Sequence, residues 1–130
     1  WHPARIFLGD IGSIPLGYLL GWLLLSLAVS GHLQAAIILP LYYLADSGLT
    51  LARRALRGEN FFRAHREHYY QKAVLNGQSH AAVSALIGAT NVGLISMALV
   101  SMINPAAGIV GAAFMPFIAL LALKRAPKKP

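Results

Sequence analysis

Three polar groupings stand out in a chain that is otherwise strongly apolar. The first is Gly9-Asp10-Ile11-Gly12-Ser13. A carboxylate between glycines lets backbone come close to a ligand. The start of a helix also offers free N–H groups and the positive end of its dipole, which suit phosphate. Asp10 by itself repels phosphate. A Mg²⁺ ion removes that conflict, because Mg²⁺ is held by one or two carboxylates together with substrate phosphates. The alternative is that Asp10 only caps a helix or opens a turn, which is a common use of aspartate.

The second grouping is His65-Arg66-Glu67-His68-Tyr69-Tyr70-Gln71-Lys72. In a helix, His65 and His68 share a face, and Lys72 lies one turn beyond His68 on that face. Protonated histidine and lysine are pure donors and can grip a pyrophosphate. A zinc site is the rival reading, but third and fourth ligands are missing nearby. The plainest alternative is a solvated basic helix in a loop beside a membrane. The third grouping is Asp46, inside an apolar run, with Thr50, Arg53 and Arg54 following on one stripe. A carboxylate in hydrocarbon is costly unless it is paired or faces a polar cavity. Asp46 is therefore either part of a site floor or a structural tie to another helix or to an arginine, and the tie is the reading preferred here. His2, His32 and His80 read as boundary residues.

These groupings are positioned by apolar segments. The chain has 130 residues, 57% of them hydrophobic and only 12% charged, against roughly a quarter charged in ordinary soluble domains. About 20 apolar residues cross a bilayer as a helix. Four stretches qualify or nearly so, at about 14–30, 33–52, 81–103 and 106–123. The expected fold is all-α: a polytopic membrane protein with four transmembrane helices and a short cytoplasmic amphipathic helix. Ser13 is expected to cap the first span, with Pro15 in its first turn. A tight turn is expected near Gly31, and a bend in the second span at Pro40. Gly58 should stop that helix. A second helix should run over 61–76, capped by Asn60 and stopped by Gly77, with Phe61, Phe62, Tyr69 and Tyr70 at the lipid boundary. Ser79 should cap the third span. The loop 53–80 and the basic tail 124–130 complete the chain, the tail being expected as disordered. No internal repeat is apparent.

The formal charge is +7, which suggests a nucleic-acid binder until its distribution is considered. Arg5 precedes the first span. Arg53, Arg54, Arg57, Arg63, Arg66 and Lys72 fall between the second and third, and Lys124, Arg125, Lys128 and Lys129 follow the fourth. With four spans, all the basic residues share one face. That is the positive-inside pattern, with this face cytoplasmic and in contact with anionic membrane lipid. No nucleic-acid partner is expected. The absence of cysteine leaves the redox compartment unread. The opening residues Trp1-His2-Pro3-Ala4-Arg5 do not form a signal peptide, and the chain reads as a fragment of something longer.

Pro3-Ala4-Arg5-Ile6-Phe7-Leu8-Gly9-Asp10-Ile11-Gly12-Ser13, followed by a glycine-containing span, closely resembles a motif of the polyprenyl-phosphate N-acetylhexosamine-1-phosphate transferases. That family includes phospho-MurNAc-pentapeptide translocase and the transferases that start O-antigen and teichoic-acid synthesis. Leu44-Ala45-Asp46-Ser47-Gly48-Leu49-Thr50-Leu51-Ala52-Arg53-Arg54 resembles the family's next block, and Ala64-His65-Arg66-Glu67-His68-Tyr69-Tyr70-Gln71 its histidine-rich cytoplasmic motif. The blocks occur in the family's order and cover the chain from Pro3 to about Gln71; the last two spans match in hydropathy only. The likeness is nearest to the O-antigen-initiating branch. The translocase has consecutive histidines, whereas Arg66 and Glu67 intervene here.

The resemblance implies that a polyprenyl phosphate, usually undecaprenyl phosphate, attacks the β-phosphate of a UDP-linked N-acetyl amino sugar. The products are a polyprenyl-diphosphate sugar and UMP, made at the bacterial inner membrane with the active-site loops cytoplasmic. It implies Mg²⁺, with Mn²⁺ as the alternative, at Asp10. It implies catalytic roles for His65 and His68, beside which Arg66, Lys72 and Ser13 are the candidate substrate contacts. The sequence leaves the oligomeric state open, a homodimer included. The family's paired-aspartate motif, on an earlier cytoplasmic loop, is absent among only four acids, so this stretch is expected to be inactive alone. Two readings from other classes compete: a small non-enzymatic membrane protein whose basic loop binds lipid or a partner, and a transporter piece with Asp46 as its ion site.

Overall fold

The computed structural model describes residues 8–59 and 67–125. The expectations placed on Arg5, on Asn60 to Arg66, and on the end of the tail lie outside those residues. Six helices order the described residues: α1 (Gly9–Val29), α2 (Leu33–Ile38), α3 (Leu41–Leu56), α4 (Tyr69–Leu75), α5 (His80–Ile103) and α6 (Pro105–Lys124). The helices α1, α5 and α6 are each long and apolar enough to cross a bilayer.

The helix α1 begins earlier than expected. Gly9 takes φ +60° and turns the chain into the helix, and Asp10 lies in the first turn, where a negative charge suits the dipole. Ser13 is therefore inside the helix, not its cap. Pro15 is also internal. So close to the start, it forfeits only the bond to Ile11, which accounts for its tolerance there. The far end closes as expected at Gly31 (φ +94°). There the N–H of Gly31 donates to Ala28 O at 3.2 Å and that of His32 to Leu27 O at 3.1 Å, a left-handed stop that satisfies two orphan carbonyls.

The stretch expected as the second span is two helices. Pro40 has no N–H to offer the preceding turn and crowds it, so the chain breaks between α2 and α3 rather than bending. Beyond the break, Tyr42, Asp46, Thr50 and Arg54 are all buried. Spaced four apart, they form one face of α3. This helix turns a polar stripe inward and leaves Tyr43, Leu44 and Leu51 exposed.

The helices α5 and α6 form a hairpin. Ser79 accepts from Ala82 N at 3.1 Å, as expected of a cap, and Asn104 accepts from Ala107 N at 3.1 Å. Pro105 occupies the first position of α6, where its missing N–H costs nothing. Small residues bring the two backbones together: a Cβ on Gly108 would lie 2.6 Å from Ser101 Cα. Close backbone approach through small residues is how helices associate where lipid removes the hydrophobic drive. Leu94 and Ala98 of α5 and Ala112, Ala119, Leu120 and Leu123 of α6 belong to one buried core, to which α2 adds Ala35 and Ile38. The end of α6 reaches α3 and α4: Leu120, Leu121 and Lys124 line one small cleft with Leu49, Arg53 and Tyr69. Basic residues of α3 and α6 thus gather at the α4 end of the molecule.

Candidate functional site at the junction of α3 and α4

Arg57 and Gly58 end α3, with Gly58 at φ +69°, as its position in the sequence suggests. The N–H of Gly58 donates to Ala55 O at 2.9 Å and that of Glu59 to Arg54 O at 3.1 Å. The chain returns at Glu67 and His68, and neither is helical. His68 is extended (φ −59°, ψ 148°) and precedes the first turn of α4. The helix expected over 61–76 is thus, among the described residues, only its last part. His68 flanks that helix instead of lying on its face, and its partner in the expected pair, His65, is outside the described residues together with Arg66.

The reason for the late start is Asp46. Its Oδ1 accepts from Tyr69 N, the first N–H of α4, at 3.0 Å. Thr50 Oγ1 donates to the same oxygen at 3.5 Å, and His68 Nδ1 lies 3.7 Å from it. A buried carboxylate on α3 thereby satisfies an orphan donor of a helix 23 residues away in sequence, which is the partnering such a group requires. Gln71 Oε1 accepts from His68 N at 3.3 Å, and the His68 ring stacks on Tyr70 with centroids 5.7 Å apart.

An ion-pair network closes the segment on its solvent side. Arg54 Nε meets Glu59 at 3.1 Å, and Arg57 Nε meets the same carboxylate at 2.6 Å. Arg57 also reaches Glu67 at 2.6 Å, and Lys72 Nζ lies 3.5 Å from Glu67. The hydrogen bond from Arg57 holds the Glu67 carboxyl below the usual carboxylate range, with Lys72 adding to the effect. The same bond pushes the Arg57 guanidinium up. Glu67, one of the two residues that separate the histidines, is thus the hinge pin of the network, and Lys72 is partly committed to it. Arg53 lies over the Tyr69 ring, 5.0 Å from its centroid.

Behind His68 opens a cavity of about 570 Å³ between α3, the start of α4 and α5, reaching Tyr42, Tyr43, Asp46, Ser47 and Asn91. Asn91 Nδ2 donates to Tyr43 Oη at 2.9 Å. Asn91 and both tyrosines escaped the reading of the sequence. A lone amide within an otherwise apolar span was the available signal for Asn91. A second cavity of about 590 Å³, almost wholly apolar, lies between α2, α3 and α6.

Asp10 and Ser13 are exposed in the first turns of α1. Neither makes a hydrogen bond or ion pair among the described residues, and α1 packs chiefly on α2. Among the described residues, no three histidine, cysteine or acidic side chains gather as metal ligands. Asp10 fits Mg²⁺ in the narrower sense that one free carboxylate suffices when phosphates supply other ligands.

Over 84 residues, 62% of the chain, the sequence is 30% identical to a protein of Bacillus subtilis (strain 168) named "Probable undecaprenyl-phosphate N-acetylglucosaminyl 1-phosphate transferase". The match takes in 24% of that protein, so the chain spans about a quarter of the length of its curated relative. No family model and no solved structure matches the chain. The chain is a distant relative of a transferase, and its apolar helices are those of a membrane protein.

Proposed function

We propose that this chain is the C-terminal part of an integral membrane transferase that moves an N-acetylhexosamine-1-phosphate from a UDP-sugar to a polyprenyl phosphate. One observation carries the reading beyond the sequence likeness. The second and third motif blocks, separated in sequence, meet through Asp46, Tyr69 and His68. In this reading α2 and α3 together make the fourth crossing, and the basic end holding Arg53, Arg57, Lys72 and Lys124 faces the cytosol of a bacterial inner membrane.

The reaction forms a bond from a lipid-phosphate oxygen to the β-phosphorus and breaks the bond from that phosphorus to the bridging oxygen, which leaves with UMP. Little covalent work falls to the protein; positioning and neutralising charge dominate. His68, fixed by Asp46 behind it and Tyr70 beside it, presents a donor to the diphosphate, and His65 and Arg66 extend that donor set. Lys72 adds charge from the first turns of α4. Asp10 is the carboxylate that would hold Mg²⁺, and Ser13 lies within the same helix start. Mg²⁺, when bound, supplies the positive charge that lets a carboxylate and a diphosphate share one site. The paired-aspartate motif is supplied by another part of the longer protein, so the stretch alone is inactive.

The test is UMP release by the full-length protein with UDP-GlcNAc, undecaprenyl phosphate and Mg²⁺. Release that requires the lipid phosphate and falls strongly in His68→Ala supports the reading. A protein that binds anionic vesicles yet releases no UMP would be the non-enzymatic alternative.

A further inference from the structure

A trough runs between α3 and α6. Leu41, Ala45, Leu49 and Arg53 stand four apart on α3, in one of the inclined rows that side chains form on a helix. Ile109, Ala113, Phe117 and Leu121 make such a row on α6, with Lys124 one turn beyond, and all five are exposed. The apolar cavity of about 590 Å³ takes in Leu41, Ala45, Ile109 and Ala113, and the cleft of about 110 Å³ takes in Leu49, Arg53, Leu121 and Lys124. Phe117 lines both, so the cavity leads into the cleft and the trough ends at two cations.

The walls select the occupant. No acidic residue lines either opening. The neighbouring arginines of α3 are paired: Arg54 with Glu59, and Arg57 with Glu59 and Glu67. Arg53 and Lys124 meet no carboxylate among the described residues. Arg53 lies over the ring of Tyr69, itself a wall of the cleft. This end therefore attracts an anion, and the rest of the trough suits an apolar chain. A lipid with an anionic headgroup offers both. From Ile109 to Lys124 the trough runs about 22 Å, at about 1.5 Å per residue. One leaflet of hydrocarbon is about 15 Å deep, half of the bilayer core. A tail from a single leaflet thus fits along α6, a helix long and apolar enough to cross a bilayer. Arg53 and Lys124 then stand at headgroup level, where basic side chains attract anionic lipid. The trough shares no lining residue with the cavity beside His68, so its occupant is separate from the groups assigned to the reaction.

We propose that the α3–α6 trough binds one anionic glycerophospholipid of the surrounding membrane, with its phosphate between Arg53 and Lys124 and an acyl chain along Leu49, Phe117 and Ala113. This goes beyond the transferase reading and rests only on the assignment to a membrane.

The test is native mass spectrometry of the full-length protein in detergent, titrated with phosphatidylglycerol or with phosphatidylcholine of the same chains. The variants are Arg53→Gln, Lys124→Gln, Ala113→Phe, which fills the trough without changing charge, and Arg125→Gln, which removes a neighbouring charge outside it. The parent should retain phosphatidylglycerol in preference to phosphatidylcholine. Arg53→Gln and Lys124→Gln should each lower that preference about fivefold, the worth of one basic residue beside an anionic headgroup. Arg125→Gln should lower it less than about twofold, and Ala113→Phe should lower retention of both lipids. Phosphatidylglycerol should also raise the parent's unfolding midpoint, because a ligand of the folded state stabilises it, and the rise should shrink in the first three variants. Lys124→Gln, at an exposed helix end, decides the matter if Arg53→Gln fails to fold without its contact to Tyr69. No preference in the parent, or an equal loss in Arg125→Gln, overturns the site and leaves diffuse attraction to the basic face. Undiminished retention in Ala113→Phe overturns it too, the trough then being closed by another span of the longer protein or by a second copy. Displacement of phosphatidylglycerol by an equal amount of undecaprenyl phosphate would give the trough to that lipid instead. Since lipid retention is read without turnover, failure here leaves the transferase reading standing, and absence of UMP release leaves the lipid site standing.

Discussion

The helices α1 and α6 are nearly the same object in composition and opposite in circumstance. They have 21 and 20 residues, each is strongly apolar, and each contains an internal proline. Yet α1 buries none of its residues, whereas α6 buries Gly108, Ala112, Pro116, Ala119, Leu120 and Leu123. Both carry glycines at helical spacing. A Cβ on Gly17 or Gly21 of α1 would meet nothing within 4 Å, whereas one on Gly108 would strike the backbone of Ser101. Hydropathy therefore tells which segments suit a bilayer, and it is silent on which of them hold the molecule together. The helix α6 is architecture. The helix α1 buries none of its residues and meets the core only through the partly buried Leu27, and it is the helix that bears Asp10.

The sharpest way to break this contrast is Asp10→Asn. If α1 serves chemistry rather than stability, the full-length protein should lose UMP release by about 10²–10³-fold or more, the scale of removing one electrostatic stabiliser. Its unfolding free energy should change by no more than about 1 kcal/mol, the worth of a charge at a helix start, since Asp10 is exposed and without a side-chain partner among the described residues. A large loss of stability would mean that α1 is held more tightly than its packing on α2 implies. Normal turnover would remove Asp10 from the metal role.

The glycines extend the same contrast into energetics. Gly108→Ala should destabilise by about 1–3 kcal/mol, the cost of overpacking against backbone that cannot yield. Gly17→Ala should stay within about 0.5 kcal/mol. Asp46→Ala should cost about as much as Gly108→Ala, about 1–3 kcal/mol, because it strands the first N–H of α4. Its distinguishing sign is local: proteolysis or amide exchange should rise at Tyr69–Leu75 before the hairpin of α5 and α6 responds.

These differences mark where the sequence could be read. The turn at Gly31, the stops at Gly58 and Gly77 and the cap at Ser79 follow from local chemistry, and the positive φ at each of the three glycines agrees. The long apolar runs gave α5 and α6 to within a residue or so. Ser13 misled because an internal hydroxyl and a capping hydroxyl look alike until the backbone at Gly9 is known. The single helix over 61–76 misled because nothing local announces that a carboxylate 23 residues earlier will start α4 at Tyr69. The cavity was invisible for the same reason: Tyr43 and Asn91 are 48 residues apart, and only the fold brings them together. Local signals were legible and the polar contacts between segments were not.

The smallest expected effect concerns Glu67, whose carboxyl is held low by Arg57 and Lys72. A carboxyl with a lowered pKa in the folded state binds fewer protons there than in the unfolded chain, so its contribution is full above the ordinary carboxylate value and is lost as pH falls through the folded value. The tie from Glu67 to Arg57 should therefore be intact at neutral pH and loosen only on acidification below the ordinary carboxylate range. Glu67→Gln should raise protease sensitivity of the loop between α3 and α4 at pH 7. That difference from the parent should vanish as acid neutralises the parental carboxyl. Because the pair lies at the solvent side, raising the salt concentration should shrink the same difference at constant pH. A difference that persisted unchanged in acid would mean that Glu67 acts through packing, and that the loop beside the histidines is not held by charge.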